Sequence, residues 1–262
     1  MRRLFAIRTS IFALAILAIT TSQVSQAVDT SVLRPNSPSP SNIIIGFVGG
    51  FVGHDNSHHG PVQLAARIRQ AAPKDTYIRV FENRHRKLAY RDVLRLLDTD
   101  HDGALSPAEK TRAHIVLFGH SWGASAAVLL ARDLGRQGIP VLLTVQVDSV
   151  AKVWQNDSVI PSNVTEAVNF YQTQGMIHGR RRITAADPAH TDILGNYRMD
   201  YKKAPVECPE ASWWDRVFTP GHMESECDPH LWTQIETLVR QRLSPLETSA
   251  GISQTEHAQP SR

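Results

Sequence analysis

Gly119-His120-Ser121-Trp122-Gly123 sets a serine between two glycines, after the apolar run Ile115-Val116-Leu117-Phe118 and before the small-residue run Ala124-Ser125-Ala126-Ala127. That is the signature of a strand, a sharp turn and a helix. In such a G-x-S-x-G elbow the glycines let strand and helix approach closely, and the serine hydroxyl is left exposed at the sheet edge as a nucleophile. An alcohol attacks poorly until a base takes its proton. An imidazole does so when a carboxylate fixes its tautomer and stabilises its charged form. The chain offers Asp148, directly after the apolar run ending at Val147, and His222, in Thr219-Pro220-Gly221-His222-Met223-Glu224, read as a loop ahead of the last helix. Asp187, Asp192 and Asp200 also precede His222 and remain rivals for the acid. Each partner also has a plainer reading, since an aspartate after a strand is often a helix cap and the chain has 12 histidines.

Attack on a carbonyl develops an oxyanion, which needs backbone N–H donors at the elbow and after the first strand. Trp122 and Phe51 are the candidates, Phe51 lying in the open turn Gly49-Gly50-Phe51-Val52-Gly53. A second chemistry sits at Asp98-Thr99-Asp100-His101-Asp102-Gly103-Ala104-Leu105-Ser106-Pro107-Ala108-Glu109, which has the spacing of an EF-hand calcium loop. Asp98, Asp100, Asp102 and Glu109 would supply carboxylate oxygens, Ala104 its carbonyl, and Ser106 a ligand through water. The alternative is a solvated acidic turn. Residues 107–113 leave at most two helical turns before the next strand, and no second loop is present to pair with this one. Calcium is expected to be structural, and catalysis to need no cofactor.

The elements that must hold these groups alternate. Strands are expected at 43–48, 76–81, 114–118 and 141–147, and helices at 60–72, 87–97 and 123–136; a later strand at 168–172 and a closing helix from Asp228-Pro229 follow. Continuous apolar strands alternating with helices predict an α/β fold, a mainly parallel β-sheet flanked by helices on both faces. In such sheets reacting groups gather at the carboxyl ends of the strands. That rule puts Ser121 and Asp148 on one rim and the calcium loop on the other.

The chain has 262 residues, with 42% hydrophobic, 20% charged and a net charge of +3, the composition of a globular protein with one domain. Residues 1–27 read as a signal peptide, with Arg2, Arg3 and Arg8 before an apolar stretch and Ser25-Gln26-Ala27 at a cleavage site. The rest divides into a Pro- and Ser-rich linker at 28–41, the domain at 42–243 and a polar, disordered tail at 244–262. Export, periplasmic or secreted, would place Cys208 and Cys227 where a pair oxidises to a disulfide. Arg180-Arg181-Arg182 is short and lacks interleaved aromatics, so nucleic acid is excluded as a partner. The apolar run near the start is too short for a stable membrane span. The expected partner is a small-molecule or lipid ester.

Residues 42–242 resemble the α/β-hydrolase superfamily, specifically its small exported lipase- or esterase-like members. The resemblance rests on Gly49-Gly50-Phe51, on the elbow, on Val147-Asp148-Ser149-Val150 with Ile160-Pro161-Ser162-Asn163-Val164, and on His222 before Asp228-Pro229. It implies the superfamily's fold, the order Ser, Asp, His, and a serine hydrolase cleaving carboxylic esters through an acyl-enzyme. Asp148 stands one strand earlier than is commonest there, and no lid segment is evident, so an esterase is expected rather than a true lipase. The alternatives are acyl transfer at the same site, or an inactive calcium-binding recognition module.

Overall fold

The computed structural model describes residues 39–243. The residues read as signal peptide, most of those read as linker and those read as a tail lie outside them. In chain order the elements are β1 (Asn42–Val48), α1 (Gly60–Ala71), β2 (Thr76–Glu82), a short 3-10 turn (Asn83–His85), α2 (Arg86–Leu97), α3 (Pro107–Thr111), β3 (His114–His120), α4 (Trp122–Gly135) and β4 (Val141–Val147). They continue with β5 (Val159–Ile160), β6 (Val164–Tyr171), β7 (Thr184–Ala185), β8 (Asp192–Arg198), α5 (Trp213–Phe218), α6 (Pro220–Cys227) and α7 (Pro229–Leu243).

Six strands form one sheet in the order β2-β1-β3-β4-β6-β8, and every pairing is parallel. β5 and β7 make a separate parallel pair. Successive side chains of a strand point to opposite faces, and here both faces are covered. Ile43, Ile45, Phe47, Ile115 and Leu117 pack with Ala89, Val93 and Leu97 of α2 and with α4. Ile44, Val48, Val116 and Phe118 pack with Leu64 and Ile68 of α1 and Leu231, Trp232 and Ile235 of α7. Burial on both faces explains why β1 and β3 are continuous apolar runs rather than alternating ones. The architecture is a three-layer α/β fold, a parallel sheet between two helical layers. Among the described residues no helix is long and apolar enough to cross a membrane.

Three readings need correction. β6 begins at Val164, four residues before the expected strand, and β8 follows it as an unforeseen edge strand. Its sequence, Asp-Ile-Leu-Gly-Asn-Tyr-Arg, has no fully buried residue, because an edge strand packs less and so carries no apolar run. His222 does not lie in a loop. Pro220 at the first helical turn, with its fixed φ and no N–H to satisfy, starts α6, and His222 is the third residue of that helix.

Candidate active site

β3 delivers its carboxyl end to Ser121, which takes φ 56° and ψ −127° before α4 begins at Trp122. The flanking glycines are sterically required. A Cβ on Gly119 would come within 2.5 Å of the Gly123 backbone, and one on Gly123 within 2.3 Å of the Phe47 carbonyl oxygen. The turn therefore closes only with hydrogen at both positions, and the serine between them is held off its ordinary backbone conformation.

Asp148 leaves β4 on the same rim, also at positive φ (42°), and α6 brings His222 between them. His222 Nδ1 lies 2.6 Å from Asp148 Oδ2, and His222 Nε2 lies 3.0 Å from Ser121 Oγ. A ring nitrogen facing a carboxylate carries the proton, so Nδ1–H donates to Asp148 and the Nε2 lone pair faces the hydroxyl. That is the tautomer a general base requires.

The Asp148 carboxylate is buried and accepts three further bonds: from Gln172 Nε2 (2.7 Å), from the Gln172 backbone N–H (3.2 Å) and from the Gly179 backbone N–H (2.7 Å). Burial favours its neutral form, but the His222 and Gln172 bonds outweigh that and hold its pKa below the usual carboxylate range. The rivals are elsewhere. Asp187 bonds His190 and Asp200 pairs with Lys203, both on the surface, and Asp192 is exposed at the start of β8.

The turn after β1 runs against Ser121, and a Cβ on Gly49 would lie 2.9 Å from its Cβ. Asn83 Nδ2 holds this turn by donating to the Gly50 carbonyl at 2.6 Å, and Lys152 Nζ donates to Asn83 Oδ1 at 2.7 Å. The Phe51 and Trp122 rings meet edge to face with centroids 5.5 Å apart, and Lys152 sits over the Trp122 ring. Trp122 opens α4, where the first N–H groups have no intrahelical partner. Phe51, Trp213 and Trp214 are 86%, 62% and 63% exposed, so they belong to the surface and not to the core.

Asn83, Lys152, Gln172 and Gly179 escaped the sequence reading. Asn83, Lys152 and Gly179 lie in turns or loops without a motif and are brought in only by tertiary packing. Gln172 alone had a signal, since it directly follows the strand after Asp148.

Cys208 and Cys227 form a disulfide, with Cα atoms 5.5 Å apart, joining the segment before α5 to the end of α6. At the acidic loop, the carboxylates of Asp98, Asp100 and Asp102 converge within 4.8 Å of one another. Asp98 Oδ1 is buried without a hydrogen-bond partner, and Gly103 takes φ +83° at the bend. These three residues fit a hard cation. Glu109 is not with them. It accepts from the backbone and hydroxyl groups of both Thr99 and Ser106, which closes a capping box at α3 and lowers its pKa to about 2. Ala104 and Ser106 lie in the loop as the spacing requires, with Ala104 N–H donating to Asp102 at 2.7 Å.

No protein-family model and no curated protein sequence matches the chain. Solved structures similar to it include human thioesterase 2, at 11% identity over 78% of this chain and 96% of that one, with a TM-score of 0.41. A cutinase-like protein from Cryptococcus sp. matches at 13% identity over 79% and 97%, with a TM-score of 0.39. An acetyl xylan esterase matches at 10% over 79% and 100%, also with a TM-score of 0.39. These are distant likenesses, and the architecture above rests on the strand order itself.

Proposed function

We propose that the protein is an exported serine hydrolase that cleaves carboxylic esters. The observation that carries this reading is the unbroken line from Ser121 Oγ through the His222 ring to the buried Asp148 carboxylate. In the first half-reaction His222 Nε2 takes the Ser121 proton as Oγ attacks the ester carbonyl carbon. The oxyanion forms beside the Trp122 and Phe51 amides. His222 then gives its proton to the departing alkoxide, leaving Ser121 acylated. In the second, His222 deprotonates water, which attacks the acyl carbon and releases the acid and free Ser121. Asp148 stays ionised and stabilises the imidazolium of each step.

Acyl transfer would use the same atoms with another alcohol in place of water. The intact line of hydrogen bonds favours an enzyme over an inactive recognition module. The exposed Phe51 ring beside Trp122 favours an ester with an apolar part. Calcium is assigned a structural role, held by Asp98, Asp100 and Asp102; Glu109 would join by exchanging its bonds to Thr99 and Ser106. A fluorophosphonate probe should label Ser121 alone, and a panel of nitrophenyl esters should show turnover that labelling abolishes. An unlabelled, folded protein would refute the reading.

A further inference from the structure

His120, the residue before Ser121, takes no part in the steps above, yet it is 2% exposed and acceptor oxygens face both its ring nitrogens. Nδ1 forms an ion pair with the Glu226 carboxylate. Nε2 lies 3.2 Å from the His222 backbone carbonyl oxygen and 3.2 Å from Ser225 Oγ. That hydroxyl donates its own proton to the same carbonyl at 2.8 Å, so it presents a lone pair to the ring. A neutral imidazole has one N–H and one lone pair. Every partner of His120 is an acceptor, so the ring requires both protons.

Glu226, also buried, completes the arrangement. Its other oxygen accepts from His59 Nδ1 at 3.0 Å, and its backbone carbonyl accepts from Trp232 Nε1 at 2.8 Å. Burial opposes a charge on His120, but the neighbouring Glu226 carboxylate outweighs it and raises the His120 pKa. The His120 ring stands 4.6 Å from the His222 ring, centroid to centroid, with 36° between their planes. Other charged or titratable groups facing the two rings are Asp148 after β4, His59 ahead of α1 and Glu226 in α6. Asp148 and Glu226 favour a protonated His222, whereas burial, and then the His120 charge, oppose it and leave its pKa below the ordinary imidazole value.

We infer that His120, held as a cation by Glu226, is a positioning residue that fixes the backbone of His222 and keeps its ring neutral and proton-accepting at mildly acidic pH. The inference rests on reading His222 as the base.

Imidazole nitrogen NMR on the full wild-type chain reads the first half without any turnover. At pH 8 His120 should carry protons on both nitrogens, and His222 on Nδ1 alone. His120→Gln keeps a donor toward the His222 carbonyl and removes the charge. Its His222 titration should move up by about one pH unit, and the acid limb of kcat/KM should move with it. At pH 5 the variant should then have lost roughly tenfold more of its plateau rate than the wild type. Glu226→Gln should discharge His120 at neutral pH and shift the limb in the same direction but by less, because the Glu226 charge that favours a protonated His222 is lost with it. A neutral His120 in the wild type at pH 8 overturns the inference, as does a folded His120→Gln enzyme whose kcat/KM falls equally at every pH. Absent ester turnover with both protonation states as stated would count against the proposed function and not against the His120 cation.

Discussion

At the scale of the residue, the elbow concentrates strain where the chemistry needs it. A non-glycine residue at φ 56° and ψ −127° costs on the order of 1–3 kcal/mol. It persists because β3 and α4 are pinned together through Gly119 and Gly123. Ser121→Ala keeps the Cβ and removes only Oγ, so the protein should remain folded with an unchanged melting temperature. Ester hydrolysis should fall by roughly 10⁴-fold or more, leaving what the oxyanion donors and binding supply. Asp148→Asn tests the acid. An amide can accept from Nδ1–H or donate to a bare Nδ1, so it stops enforcing the tautomer whose Nε2 lone pair faces Ser121. Turnover should fall by about 10⁴-fold while the fold is retained, as read by circular dichroism and steady-state rates. Unchanged turnover, or a comparable loss in Asp187→Asn, would give the carboxylate role to another residue.

At the scale of the element, α6 matters most, because one eight-residue helix carries His222, Ser225 and Glu226. Too short to be stable alone, it is tied down by the disulfide at its last residue and by Pro220 at its first. The bond closes a loop with a sequence separation of 19, for which the chain-entropy estimate is about 3 kcal/mol. A Cys208→Ser/Cys227→Ser double variant should lose about that much in urea unfolding, and should lose activity before it unfolds, since α6 is the element released. Full activity in the double variant would show that packing alone holds His222. This helix also marks where the sequence stopped being legible. Asp228-Pro229 was readable as a helix start because an aspartate cap precedes the proline, and Asp228 does accept from the His230 and Leu231 N–H groups. Thr219-Pro220 has the same form, but Thr219 makes no side-chain cap and the segment after it has no apolar stripe. β1, β3 and β4 were legible as largely apolar runs buried on both faces, and β2, though an edge strand, by its run of β-branched and aromatic residues, Tyr77, Ile78, Val80 and Phe81. β8 was not, because its exposed edge leaves no such pattern. The convergence of Ser121, Asp148 and His222 followed from where strands end and the last helix begins. Asn83, Gly179 and Glu226 reach the site only through tertiary packing, which a single sequence does not display.

At the scale of the whole molecule, the parallel sheet has two rims, and the acidic loop and the nucleophile stand at opposite ends of one strand. The loop leads through α3 into the amino end of β3, and Ser121 follows its carboxyl end. Seven residues at about 3.3 Å each make that separation roughly 20 Å, beyond the distance at which a cation polarises a bound carbonyl. Calcium bound there should therefore stabilise the fold without entering the chemistry. An unpaired loop of this kind is expected to bind at about 10⁻⁴ to 10⁻³ M. At ten times the dissociation constant, binding to the native state alone adds about 1.4 kcal/mol, a rise of roughly 3–6 °C in Tm for a domain of this size. Asp98→Ala should abolish the rise, because it removes the carboxylate whose buried oxygen lacks a partner. Glu109→Gln should weaken the rise if that carboxylate leaves Thr99 and Ser106 for the ion, and Ser121→Ala should keep it whole. Turnover per folded molecule should not change with calcium. Calorimetry that detects no binding to the mature chain would remove the site, and calcium-dependent turnover at constant folded fraction would mean that the two rims are coupled through β3.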